Sequence, residues 1–224
     1  MAYEAGVKIL SDDGKTFTFD SPEGVAWLQM YVDMVKAGTV DNTTLTTTDD
    51  RTGLLLFSAG QAPFYATGPN LIRDVKSNNS TLYDDLAVAQ APLGKSNVTA
   101  KGLMGISVKA DTKFPNASMA LAQFFTNPRS MVAFAKQVSI YPSSPEAFKD
   151  PFFSTASGLI EDSARPLAGS IVATYADIVP TIPKKADVNQ IVLKAIESAL
   201  FGDNPVPAQQ ALTDAVKQAN DLIK

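Results

Sequence analysis

Phe57-Ser58-Ala59-Gly60-Gln61-Ala62-Pro63-Phe64-Tyr65-Ala66-Thr67-Gly68-Pro69-Asn70 runs from the end of one helix, through a short apolar stretch, to a Gly-Pro break. Gly60 is a stop signal for a helix over about Asp49 to Ser58. Ala62 to Ala66 reads as a buried strand, and Thr67-Gly68-Pro69 ends it. A further helix starts near Asn70 and carries Leu71, Ile72 and Val75. Tyr65, inside the strand, reads as a core residue. Helix, strand, break and helix in succession is the alternation of an α/β or α+β chain.

The same alternation extends in both directions. Upstream, Ser11-Asp12-Asp13-Gly14-Lys15 carries an Asp-Gly turn between Val7–Leu10 and Thr16–Phe19, which predicts a short hairpin. Phe19-Asp20-Ser21-Pro22-Glu23-Gly24 then opens a helix: Ser21 is a good cap and Pro22 falls where its missing N–H costs nothing. Val25, Leu28, Val32 and Val35 recur at helical spacing, with Trp27, Tyr31 and Met34 widening the stripe, and Gly38 closes the helix. Downstream, Asp85 to Ala91 and Leu103 to Val108 read as strands, flanking a polar turn over Lys95–Lys101. Helices are expected from Pro115 to Asn127, over Arg129–Val138, and in two pieces at Ala156–Ile160 and Ala168–Ala176. Pro180 and Pro183 bracket an extended piece. Val188–Phe201 and Pro207–Ile223 complete the chain as strong helices, the latter with Leu212, Val216, Ala219 and Ile223 inward.

Composition narrows the chemistry. Of 224 residues, 45% are apolar and 19% charged, a balance that buries a core. The net charge is −4 and the basic residues are scattered, which argues against nucleic acid. There is no Cys and no His, so thiolate chemistry and the commonest general base are both missing. No Gly-X-Ser-X-Gly elbow and no Gly-Lys-Ser/Thr phosphate loop occurs. Asp12-Asp13, Asp49-Asp50 and Asp84-Asp85 sit in turn or cap contexts, where acids are solvated. No catalytic residue, metal ligand or cofactor is assigned. No apolar run is long enough to span a bilayer. Met1 to Gly6 lacks the basic and apolar regions of a signal peptide.

The order of five segments carries a resemblance. Phe19 to Gly24 and its helix come first, then Phe57 to Asn70, then Leu86-Ala87-Val88-Ala89-Gln90-Ala91-Pro92-Leu93-Gly94. Gly102-Leu103-Met104-Gly105-Ile106-Ser107-Val108 follows, and Ala208-Gln209-Gln210-Ala211-Leu212 closes the series. This order resembles the C-terminal half of an extracellular solute-binding protein of the sugar ABC-importer class, the maltose-binding-protein-like family 1. The resemblance implies an α/β, periplasmic-binding-protein-like (type II) lobe, helix-rich with a short mixed sheet, and a partial fold. It implies residues 1–101 as part of the C-lobe, 102–150 as a returning N-lobe segment, and 151–224 as C-lobe helices. The expected role is carbohydrate binding in an interlobe cleft, without catalysis, and delivery to a membrane permease. The expected location is extracytoplasmic, periplasmic or lipid-anchored in a full-length parent. A glycoside-active enzyme domain and an interaction module without ligand are the alternatives.

The resemblance also implies site residues. Sugar sites pair aromatic faces with planar amides and backbone groups, because a pyranose has an apolar face and vicinal hydroxyls. Asn70 follows the Gly-Pro turn, where family members often carry an aromatic. Gly102 and Met104 fall on a Gly-rich crossover whose backbone lines the cleft. Tyr141, in Ile140-Tyr141-Pro142-Ser143-Ser144, matches a loop commonly written Gly-X-Leu-Pro. Asn189 follows the Pro180–Pro183 segment, with Asp187 expected to cap the helix there. Trp27 reads as packing rather than a sugar platform. A chain that begins inside the family pattern is expected to be a fragment, with dimeric or domain-swapped association covering what the absent lobe leaves open.

Overall fold

The first helix bears out its sequence signals at both ends. In the computed structural model, which describes residues 2–40, 51–97, 99–100, 105–138, 140–155, 158–171, 175–176 and 184–224, α1 spans Pro22–Lys36. The Ser21 hydroxyl accepts a bond from the Gly24 N–H at 3.3 Å. Gly38 adopts φ +66°. That left-handed turn lets Gly38 N–H reach the Val35 carbonyl and Thr39 N–H reach the Met34 carbonyl, each at 3.0 Å. Leu28 and Val32 are buried, and Trp27 packs at the edge of the core, edge-on to Tyr31.

Contacts divide the chain into two units. The first comprises Met1–Thr47, Pro92–Lys101 and Tyr175–Lys224; the second comprises Thr48–Ala91 and Gly102–Thr174. In the first unit, the expected hairpin is reduced to an antiparallel bridge between Leu10 and Phe17. The last two helices of the chain, Lys185–Leu200 and Ala208–Ile223, pack against each other and against α1. Their shared surface is small: Ala195, Ala199, Ala208, Ala211, Ala215 and Ala219 are all buried, so the backbones approach closely around Leu28, Leu200 and Leu212. Asn220 then ties chain end to chain start. Its Oδ1 accepts from the Phe17 N–H at 2.7 Å, and its Nδ2 donates to the Phe17 carbonyl at 3.2 Å.

The middle stretch docks on the N-terminal turn, where Ser96 N–H donates to the Glu4 carbonyl at 3.2 Å. Gly94 is needed there, because a β-carbon on it would lie 2.2 Å from the same oxygen. Beyond it, β1 (Thr99–Ala100) pairs in parallel with β2 (Tyr175–Ala176).

The second unit is helical. α2 (Thr52–Ser58) ends before Gly60 as expected, and Tyr65 stacks on Phe57 at 5.9 Å. A 3₁₀ turn at Pro69–Leu71 leads into α3 (Ile72–Asn78). A short α4 (Ser80–Asp84) follows, unforeseen in the sequence and capped by Asn79, whose Oδ1 accepts from Leu82 N–H at 3.0 Å. α5 spans Pro115–Thr126 and α6 spans Pro128–Val138, separated at Asn127-Pro128 as expected. The two helical pieces expected across residues 156–176 are corrected to one helix, α7 (Ile160–Ile171), which carries Pro166 inside it. The helices Lys185–Leu200 and Ala208–Ile223 are accordingly α8 and α9.

Three expected strands are corrected as well. Residues 62–66, 85–91 and 105–108 lie in no strand, and Asp85 is a turn that ends α4. Extended backbone becomes a strand only against another edge, and no such edge meets these segments among the described residues. Leu103, Met104 and the Pro180–Pro183 piece lie outside the described residues. Asp187 does not cap α8: the helix begins at Lys185, with Lys184 at φ +53° in the cap position.

Two substitutions test the first unit. A β-carbon on buried Gly24 would stand 2.0 Å from the Phe19 carbonyl oxygen, against backbone that has no rotamer to change. Gly24→Ala is expected to cost about 2–4 kcal/mol, lowering the thermal midpoint by roughly 4–12 °C. Asn220→Ala leaves both Phe17 backbone groups unpaired and is expected to cost about 2 kcal/mol in a chemical denaturation series.

Candidate functional site

Tyr141, among the expected site residues, lines a small cleft in the second unit, together with Pro69, Ala135, Ile140, Phe152, Glu161 and Arg165. Its walls follow from local sequence. Pro69 opens the 3₁₀ turn after Gly68. Asp150 caps the Pro151–Phe153 turn by accepting from Phe152 N–H at 2.9 Å, and this sets the Phe152 ring. Lys136 pairs with Asp150 at 3.1 Å and lies over that ring. The Phe152 N–H first and the Lys136 ammonium second hold the Asp150 carboxyl below its ordinary value. Glu161 and Arg165 stand one turn apart on α7, on one side of the helix.

Arg165, Tyr141 and Glu161 are each engaged by neighbours. The Arg165 guanidinium lies 4.0 Å from the Phe152 centroid, pairs with Asp162 and donates to the Thr155 carbonyl at 2.9 Å. Its Nε is buried without a hydrogen-bond partner. The Tyr141 hydroxyl donates to the Ala164 carbonyl at 2.7 Å, and its ring stacks on Phe148. Glu161 accepts a short hydrogen bond from the buried Tyr83 hydroxyl, which joins α4 to α7. Burial pushes the Glu161 carboxyl up, but the Tyr83 hydroxyl, its own backbone N–H and the charges of Lys76 and Arg73 together bring it below its ordinary value.

Size limits what the cleft can do. Its volume is ≈ 10 Å³, the space of a single water. Sites that enclose small molecules measure roughly 300–1,000 Å³. The cleft by itself cannot take a pyranose, and its polar groups act as struts between α4, α7 and the Pro151–Phe153 turn.

The other expected site residues are placed as follows. Asn70 is exposed on the Pro69–Leu71 turn, beside cleft-lining Pro69, with Oδ1 folded over Gly68. It does not cap the following helix, whose cap position is Leu71. Asn189 is exposed on α8 in the first unit. Gly102 and Met104 lie outside the described residues. Reading the sequence missed Glu161, Arg165 and Phe152; the (i, i+4) spacing of Glu161 and Arg165 was the available signal, hidden by dividing α7 in two. Among the described residues no group of acids is placed to hold a metal ion, and no helix is long and apolar enough to cross a membrane.

The model for bacterial extracellular solute-binding proteins matches residues 1–160. The chain belongs to this family. Comparison with curated protein sequences finds no match. Among solved structures, a candidate oligosaccharide periplasmic-binding protein from Synechococcus sp. MITs9220 superposes with a TM-score of 0.84 at 19% identity, over 99% of this chain and 57% of that one. Maltose-bound MalE3 of T. maritima superposes at 0.74 and 20% identity, over 99% of this chain and 55% of the other. The GacH receptor of Streptomyces glaucescens GLA.O, solved unliganded and with acarbose, superposes at 0.72 and 18% identity, over 99% and 55%. At such identities the likeness is one of fold. The chain spans just over half the length of those proteins, and its helix-rich architecture is that of a periplasmic-binding-protein fold in part.

The Tyr83–Glu161 strut has a pH signature. The Glu161 hydrogen bond, with burial and the charges of Glu161 and Asp84 adding to it, pushes the Tyr83 phenol up from 10.0 to about 12. A raised phenol stabilises the folded chain below its ordinary value, and that contribution is lost as pH climbs from about 10 to about 12. Tyr83→Phe is expected to lose about 1–2 kcal/mol at neutral pH. Its denaturant midpoint is also expected to fall less steeply than that of the parent across the alkaline window. Parallel slopes for the two proteins would show that the strut contributes nothing there.

Proposed function

We propose that this chain is the greater part of the solute-binding component of an ABC-type importer and that its solute is a carbohydrate. In this reading the protein closes around the solute and hands it to the transmembrane permease, with no catalytic step. It works outside the cytoplasmic membrane, either free in the periplasm or anchored at the cell surface. The observation that carries the reading is membership of the extracellular solute-binding family, joined to a fold shared with proteins solved in complex with maltose and acarbose. The want of His and Cys among its residues agrees with binding rather than turnover.

The solute-contacting residues belong to the same proposal. Asn70 and Asn189 offer planar amides to sugar hydroxyls, and both are exposed. Gly102 and Met104 contribute backbone. Tyr141 contributes its ring, because its hydroxyl is already donated to Ala164. Residues 1–101 and 151–224 belong to one lobe and 102–150 to the other, and one boundary between the two contact units also falls at Lys101–Gly102.

The test is isothermal titration of the protein expressed from its complete reading frame against maltose, maltotriose, acarbose and a panel of monosaccharides. At least one sugar is expected to bind in the micromolar range. Asn70→Ala is expected to weaken it about tenfold, the loss of roughly one good hydrogen bond. Heats of dilution alone across the whole panel would overturn the carbohydrate reading.

A further inference from the structure

Asp13-Gly14 is the single place in the 224 residues where Asp or Asn precedes Gly. An acid followed by glycine carries a latent reaction of its own main chain. The glycine amide nitrogen can attack the side-chain carboxyl carbon of the acid, and glycine hinders that approach least because it has no β-carbon. Gly14 adopts φ +70°, and a β-carbon built on it would meet nothing within 4 Å. Asp13, Gly14 and Lys15 are all exposed, so solvent reaches the pair.

The turn keeps the two reacting groups occupied elsewhere. Gly14 N–H donates to the Ser11 carbonyl at 2.9 Å. Asp13 Oδ1 accepts from the Ser11 hydroxyl at 2.6 Å and from Lys15 N–H at 3.1 Å, the latter being the two-residue reach of an Asp side chain onto its own backbone. The Ser11 hydroxyl also accepts from Thr16 N–H at 3.1 Å, and Ser11 N–H donates to the Thr16 carbonyl at 2.8 Å. Ser11 thus holds the nucleophile with its carbonyl and the electrophile with its hydroxyl, and ties both to the far side of the turn. The Ser11 hydroxyl first and the Lys15 N–H second also hold the Asp13 carboxyl below its ordinary value. A carboxylate kept ionised is a poor target for a nitrogen nucleophile.

We propose that Asp13-Gly14 is a site of spontaneous main-chain modification, conversion to isoaspartate, and that the Ser11 hydroxyl latches the turn against it. The reaction runs from the opened turn, so its rate follows the fraction of molecules locally open. The Gly14 nitrogen bonds to Asp13 Cγ, its hydrogen and the carboxyl OH leave together as water, and a cyclic imide remains. A second water then opens the imide. Breaking the new N–Cγ bond restores aspartate; breaking the original peptide C–N bond leaves the main chain running through Cβ and Cγ. Mass is unchanged, and nothing is oxidised or reduced. The product is longer by one methylene within the loop that the Leu10–Phe17 bridge closes, next to the Asn220 clamp on Phe17. This inference rests on the turn alone and is independent of the solute.

The test compares the 224-residue chain, its Ser11→Ala and Ser11→Thr variants, and a synthetic peptide of residues 9–15, all held at neutral pH below the thermal midpoint. Electron-transfer fragmentation locates isoaspartate by residue, and circular dichroism melts confirm that each variant folds. The peptide is expected to convert at residue 13 fastest, and the folded parent at least about tenfold more slowly. Ser11→Ala is expected to convert about tenfold faster than the parent, through loss of a hydrogen bond to a charged group. Ser11→Thr, which keeps the hydroxyl, is expected to stay near the parent rate. Equal rates for the parent and Ser11→Ala overturn the latch. A parent that converts as fast as the peptide overturns it too, and that comparison needs no variant to fold. A peptide without isoaspartate at residue 13 overturns the site itself.

Discussion

The first unit depends on one side chain closing a long loop. Asn220 satisfies both backbone groups of Phe17 across 203 residues of sequence. Around that clamp, α8 and α9 meet α1 on alanines, so their axes lie close and Leu28, Leu200 and Leu212 fill the space between. An alanine surface loses little side-chain entropy on burial, and this suits a unit assembled from three separate stretches. The chain must leave this unit at residue 47 and come back twice, and the contacts at each return are specific: Gly94 against the Glu4 carbonyl, then Thr99 and Ala100 against Tyr175 and Ala176.

The second unit solves its packing differently. Its buried residues are few and scattered, and much of its cohesion is aromatic and ionic: Tyr141 on Phe148, Phe148 on Phe153, Arg165 over Phe152, Tyr83 to Glu161. Arg73 donates to the Gln137 carbonyl at 3.0 Å and so closes the C-terminal end of α6. Half-buried polar struts of this kind orient helices, but they do not substitute for an apolar layer. The helix they leave without one is α5: no residue of it is buried, and Leu121, Phe124 and Phe125 form an open apolar stripe.

What could be read from the sequence follows from how local each signal is. The Ser21–Pro22 start and Gly38 stop of α1 and the Asn127-Pro128 break need only nearby residues, and each stands where the pattern put it. The strands expected at 62–66, 85–91 and 103–108 are not borne out over their described residues, because pairing depends on an edge that no local pattern contains. α4 was missed because five residues carry too little periodicity to detect. The Tyr83–Glu161 and Arg165–Phe152 contacts join positions far apart or split by a mistaken helix boundary, so the cleft was not legible beyond Tyr141.

The cleft and the open stripe together say where a solute site can be built. Ten cubic ångströms between Tyr141, Phe152, Glu161 and Arg165 are too few to enclose a sugar, and the Tyr141 hydroxyl and the Arg165 guanidinium are already engaged. Binding a pyranose requires two walls to close upon it, each pre-formed and each with unused polar groups. Asn70 and Asn189 are both exposed amides. The second unit, meanwhile, has its own apolar stripe uncovered. A surface that lacks its structural layer cannot hold a binding wall rigid to the fraction of an ångström that selectivity needs.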